Sequence, residues 1–291
     1  MTRFALVIRD LKFMKNILLV FIIFLTLSCN SQNKKTIGTI NVLFIGNSLT
    51  YYHDMPQSVQ KMLNETHPNI KIEQSTFPGM SLSAHLDNII ESRTENGIST
   101  RKKVQGEITD TEKKIAEKKW DVVILQEGTV RLLIPEARAY KVETAITEIK
   151  KLNTNPNCKF ILFKTWPSKD EYPKEYCYSK WAINRSLEKD QYCSPVIENV
   201  AQEMELINES YDLVAQKNSL LKSDNGAKFY EVLTKHPEIE LYEDDSHPNK
   251  YGAFLNACVF YQMLTDKKAS ELKYTGEIEP KTAELLKKIS E

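Results

Sequence analysis

Ile40-Asn41-Val42-Leu43-Phe44-Ile45-Gly46-Asn47-Ser48-Leu49-Thr50 is an apolar, β-branched and aromatic run that breaks at a glycine turn. Such a run reads as a strand buried on both faces, the kind found in parallel sheets covered by helices on either side. Similar runs recur at residues 71–77, 121–126 and 159–165, and 211–215 is a candidate fifth strand. Between them lie helical patterns at 56–66, 81–91, 109–119 and 135–152, followed by 195–210, 227–235 and 249–264. Strands alternating with helices predict an α/β protein: a three-layer α/β/α sandwich around a mainly parallel sheet of about five strands. Ser48 would then stand at the carboxyl edge of that sheet, where open α/β folds bind their ligands.

Residues 17–27 are apolar except for Thr26, follow Met14-Lys15-Asn16 and stop at Ser28-Cys29-Asn30. That run is too short to span a bilayer and reads as the core of a signal peptide over residues 1–28, with Met14 the better start. A cysteine directly after a small residue at the end of such a core resembles the bacterial lipobox. The resemblance implies cleavage before Cys29 and lipid attachment to its sulfur. Residues 29–39 are polar and read as a tether, and with no linker to divide the rest, 40–291 reads as a single domain. Thr26 stands where the lipobox has leucine, so plain secretion is the alternative. Either route leads to the bacterial cell envelope, as a periplasmic-side or outer-membrane lipoprotein held to the membrane by its N-terminal anchor, or to the exterior.

The whole chain balances 39 basic against 39 acidic side chains. Losing Arg3, Arg9, Lys12, Lys15 and Asp10 with the leader leaves the remainder slightly acidic. With no basic excess to meet phosphates, a nucleic-acid partner is not expected. The run Lys113-Lys114 to Lys118-Lys119 reads as a solvated helix face. Cysteine spacings match no zinc site, and neither metal nor organic cofactor is called for. Cys177 and Cys193 share an irregular, aromatic- and proline-rich stretch after Trp166, where they are either bridged across the loop or free; Cys158 and Cys258 read as buried thiols.

Asp244-Asp245-Ser246-His247-Pro248 precedes the last strongly apolar helix. A serine hydroxyl becomes a nucleophile when an imidazole accepts its proton, and the imidazole needs an acid to fix its tautomer. Ser48, His247 and Asp244 supply those three groups. Competing readings are plain: Ser48 as a helix cap, Asp245 in place of Asp244, His53 exposed or lining the cleft rather than acting as base, and Glu127 as a substrate contact or an ordinary salt-bridged or solvated carboxylate. His67, His85 and His236 have no acid at useful spacing and read as structural.

With Gly46-Asn47-Ser48-Leu49-Thr50 near the start and Asp244-x-x-His247 near the end, the chain resembles the SGNH or GDSL hydrolase superfamily, in its secreted bacterial branch. The resemblance covers most of residues 40–290. It implies a flavodoxin-like fold and a serine esterase with Ser48, Asp244 and His247 as triad and an oxyanion hole from Ser48, Gly79 in Phe77-Pro78-Gly79-Met80-Ser81, and a third-block amide. Where the family has Gly-x-Asn-Asp, this chain reads Val123-Ile124-Leu125-Gln126-Glu127-Gly128, so Gln126 would offer the carboxamide. The substrates implied are small-molecule or glycan esters, chiefly short acyl esters of carbohydrate. The alternatives are a lipase or lysophospholipase, and a non-catalytic glycan-binding lipoprotein on the same fold.

Overall fold

The computed structural model describes residues 38–94, 97–169 and 171–291. The leader, the lipidation candidate Cys29 and nearly all of the 29–39 tether lie outside the described residues. Thr39–Glu291 forms one compact unit. β1 (Ile40–Gly46), β2 (Ile70–Thr76), β3 (Val122–Leu125), β4 (Lys159–Leu162) and β5 (Leu221–Lys222) make a single parallel sheet in the order β2-β1-β3-β4-β5. The principal helices that cover it are α1 (Met55–Thr66), α2 (Leu82–Asp87), α3 (Asp110–Ala116), α4 (Thr144–Leu152), α5 (Val200–Asn218), α6 (Asn225–Lys235), α7 (Lys250–Thr265) and α8 (Pro280–Ile289).

Successive strand residues point to opposite faces, and β1 shows the division. Val42 and Phe44 pack with Ile124, Ile161 and Phe163 against α1, α6, α7 and α8. Leu43 and Ile45 pack with Val123, Leu125 and Leu162 against α2, α3, α4 and α5. All four of those β1 side chains are fully buried, which is why the strand reads as continuous apolar sequence rather than alternation.

Two sequence expectations fail locally. Residues 211–215 are part of α5: Tyr211, Val214 and Ala215 are buried while Leu213 is 53% exposed, a spacing that suits a helix and would put Leu213 on the wrong side of a strand. The fifth strand is instead the two residues Leu221–Lys222, paired to β4 at Ile161 and Leu162. The helix expected over 81–91 stops at Asp87, and Asn88–Thr94 pairs antiparallel with Gly97–Lys102. Ile89 and Ile90 sit at helical spacing from Leu86, but Asn88 is already extended (φ −117°, ψ 137°), and only the hairpin partner decides the outcome.

Candidate active site

In a 2-1-3-4-5 sheet the strand order reverses between β1 and β3, and the crevice beyond their carboxyl ends is the place for a ligand. Gly46 ends β1, and a Cβ there would stand 2.6 Å from both Gln126 Oε1 and Thr50 Oγ1. Only glycine lets the chain pass. Asn47 then caps the short helical turn Ser48–Tyr51, its Oδ1 accepting from Leu49 N–H at 3.1 Å. Asn47, and not Ser48, is thus the cap, which leaves the Ser48 hydroxyl free for other work.

That hydroxyl lies 2.8 Å from His247 Nε2. On the other side of the ring, Nδ1 lies 2.6 Å from Asp244 Oδ2. The second carboxylate oxygen, Oδ1, accepts the Ser246 and His247 backbone N–H groups at 2.8 and 2.7 Å, closing the turn that leads into α7. Partial burial opposes ionisation of Asp244, but the His247 N–H, the Ser246 N–H and the imidazole outweigh it and hold the carboxyl down at about 2. As an ionised carboxylate only accepts, the proton of the neutral ring sits on Nδ1, and Nε2 presents its lone pair to the Ser48 hydroxyl. Asp245, the alternative partner, has its carbonyl bonded to Lys169 N–H and lines the cleft without touching the ring nitrogen.

Gly79 (φ +61°) follows Phe77, whose N–H donates to the Gly46 carbonyl, and lines the cleft beside Ser48. Gln126 lies underneath. Its side chain is fully buried, and Oε1 accepts Asn47 N–H at 2.8 Å and the Thr50 hydroxyl at 3.0 Å. A backbone N–H can only donate, so this contact fixes which end of the amide is oxygen. Nε2 is left without a partner among the described residues and is shielded from solvent. Gln126 therefore braces the Ser48 turn from below, a role its sequence position did not announce.

Glu127 is neither solvated nor a cleft wall. It is 1% exposed, with Oε2 accepting Leu82 N–H at 2.9 Å and Oε1 accepting Gly128 N–H at 2.8 Å. It ties the Gly79 loop to the loop after β3. Burial pushes its carboxyl up to about 7, against the pull of Arg131 and the two N–H groups.

The far wall comes from the excursion after β4. Cys177 and Cys193 are bridged, stapling the short hairpin Cys177–Ser179 with Gln191–Cys193 and carrying Tyr176 and Tyr178 to the cleft. A buried network fastens this loop to α5: Glu203 accepts from Lys174 Nζ at 2.8 Å and the Tyr172 hydroxyl at 2.5 Å, and Lys174 Nζ also donates to Ser168 Oγ at 2.6 Å. Glu203 reads in sequence as one polar residue of an amphipathic helix, and no local signal marks it. Trp166 closes the near side, donating from Nε1 to the Ser246 carbonyl at 3.1 Å.

The cleft so enclosed is about 340 Å3. A wider groove of about 790 Å3, lined by Cys158 and Lys159 at the amino end of β4, holds no comparable constellation. Cys258 is buried on α7, whereas Cys158 is only half-buried at this groove. Among the described residues one group of potential metal ligands gathers, Glu175 with Cys177 and Cys193, and the bridge consumes both of its sulfurs. His85 is buried with its nitrogens on the Gly46 carbonyl and Thr111, a support behind the turn.

No protein-family model matches the chain, and neither does any curated protein sequence. Solved structures do. A DUF4886 family protein from Bacteroides uniformis superposes with a TM-score of 0.64 at 16% identity, over 87% of this chain and 93% of that one. An SGNH hydrolase candidate from Slackia heliotrinireducens superposes with a TM-score of 0.52 at 18% identity, over 78% of this chain and all of that one. The fold shared with these two structures is a parallel five-stranded sheet between helical layers.

Proposed function

We propose that the protein is a serine esterase acting through Ser48, His247 and Asp244 on short acyl esters, acetyl esters of carbohydrate foremost. The observation that carries this reading is the continuous contact from Ser48 Oγ to His247 Nε2 and from Nδ1 to Asp244, opening on a cleft at the sheet's switch point. In this scheme His247 Nε2 takes the Ser48 proton as Oγ attacks the ester carbonyl. The tetrahedral oxyanion collapses, and His247 passes the proton to the departing alkoxide. Water, giving one proton to the same nitrogen, then attacks the acyl-serine, and the carboxylic acid leaves as His247 returns that proton to Oγ, ionising afterwards in solvent.

The oxyanion donors in this scheme are the Ser48 and Gly79 N–H groups with Gln126 Nε2. Gln126 is supported by having its oxygen committed and its amide hydrogens uncommitted. A cleft of about 340 Å3 lies at the small end of small-molecule sites, roughly 300–1,000 Å3. It has room for a short acyl group and part of one sugar, which favours that substrate class over a long-chain lipid. Attachment to the envelope through a lipidated Cys29 belongs to the same proposal. Hydrolysis of p-nitrophenyl esters of increasing chain length, and of acetylated sugars, by wild type and Ser48→Ala tests it. Activity that falls beyond short chains and vanishes in Ser48→Ala is expected, and turnover surviving Ser48→Ala overturns it.

A further inference from the structure

Directly after the Ser48–Tyr51 turn, His53 (φ 49°, ψ 36°) and Asp54 (φ 50°, ψ 40°) are both left-handed. Two consecutive non-glycine residues in that region are uncommon and costly, and they persist where surrounding contacts hold them. Both contacts here lead to the histidine loop. The Tyr52 ring stacks on the His247 imidazole with centroids 4.3 Å apart and planes 11° from parallel. His53 Nε2 meets Glu243 Oε2 at 2.5 Å, on the residue just before Asp244. The loop is tied within itself as well, by Glu243 N–H to the His247 carbonyl at 2.9 Å.

Tyr52 stands four residues after Ser48, and side chains at that spacing on a helical turn share a face. One short segment therefore presents both the nucleophile and the surface against which the base lies flat. The Asp244 bond alone leaves the imidazole free to swing about Nδ1. Stacking removes that freedom and sets Nε2 toward Oγ. The stack also gains strength when it matters, because a protonated imidazole over an aromatic face is attracted by the ring's quadrupole, and the imidazolium forms only as Ser48 attacks. Burial, with Asp244 and Glu243 nearby, raises the Tyr52 hydroxyl's pKa, so the ring stays neutral while it does this.

Resting on the esterase reading of the site, we propose that Tyr52 and His53 form a clamp on the histidine loop: Tyr52 positions His247 and stabilises its protonated form, and His53 holds the loop through Glu243. The experiment compares Tyr52→Phe, Tyr52→Leu and His53→Asn in the full chain. Asparagine tolerates the left-handed conformation but loses the reach to Glu243. Tyr52→Phe should keep kcat within about 2-fold, and Tyr52→Leu should lower it by roughly 5- to 30-fold, the range of a cation–π contact, with KM unchanged. Backbone amides of Ser246 and His247 should exchange hydrogen faster in His53→Asn and Tyr52→Leu, with the unfolding midpoint unmoved. Wild-type kcat in Tyr52→Leu, or equal loss in Tyr52→Phe, overturns the role of the ring. Unchanged exchange in both variants overturns the clamp. Because exchange is read without substrate, absence of Ser48-dependent hydrolysis in wild type would sink the esterase reading and still leave the clamp decided.

Discussion

Removing the Gln126 side chain separates the bracing contacts of Oε1 from the oxyanion role proposed for Nε2. In Gln126→Ala the Asn47 N–H and the Thr50 hydroxyl lose their shared acceptor inside a fully buried site. Each abandoned donor costs about 1–3 kcal/mol, so the variant should lose roughly 2–6 kcal/mol of stability, read as a lower urea midpoint at unchanged slope. That loss follows from Oε1 alone. If Nε2 also donates to the oxyanion, kcat for a p-nitrophenyl ester should fall by roughly 10²–10³-fold while KM moves little, since the bond tightens chiefly in the transition state. Gln126→Asn, one methylene shorter, should recover part of both. A variant that is destabilised as calculated and yet keeps more than about a third of wild-type kcat, under ~1 kcal/mol of barrier, would show Gln126 to be a brace only. The hole would then rest on Ser48, Gly79 and another donor.

Ser48→Ala and His247→Ala should each abolish turnover, with the double variant hardly slower than either, because the pair acts as one unit; additive losses in steady-state kinetics would contradict it. Asp244 is held at about 2 from an ordinary 3.8. Its contribution to stability is full above the unfolded value and fades as pH falls from about 4 through 2, and the fade should be absent in Asp244→Asn when urea midpoints are followed down that range. Glu127 runs the other way: raised from 4.5 to about 7, it favours the fold while protonated, and that contribution declines as pH rises through about 7. Glu127→Gln should flatten this slope, and an unaltered slope would place its origin elsewhere. Full-length protein expressed in bacteria should partition with membranes and Cys29→Ser should not; a soluble wild type with a free Cys29 thiol would reject the anchor.

Much of this architecture is written locally. The apolar run before Gly46 could only be a strand covered on both faces, and Asp244-x-x-His247 before an apolar helix announced an imidazole with its own acid. Backbone spacing puts a carboxylate and the ring within reach, and the folded turn chose Asp244 over its neighbour Asp245. The cysteines of the excursion were legible as a pair but not as a bond. Where sequence reading failed, the deciding partner lay far along the chain. Leu221–Lys222 is a strand only because β4 offers it an edge, and Asn88 turns extended only because 97–102 returns to meet it. The Ser48 contact with His247 joins positions 199 apart, and their chemistry could be named in advance while their meeting could not. Glu127 and Glu203 carry no motif, and the third-block reading of Gln126 named an oxyanion donor but not a brace; burial and the donors gathered around each give them these roles, and burial is a property of the packed sheet and helices rather than of the residue. Sequence determined which groups were available and which strand would deliver the serine. Tertiary packing decided which of them touch, because hydrogen bonds and stacked rings act over a few ångströms and only the folded chain brings such distances about.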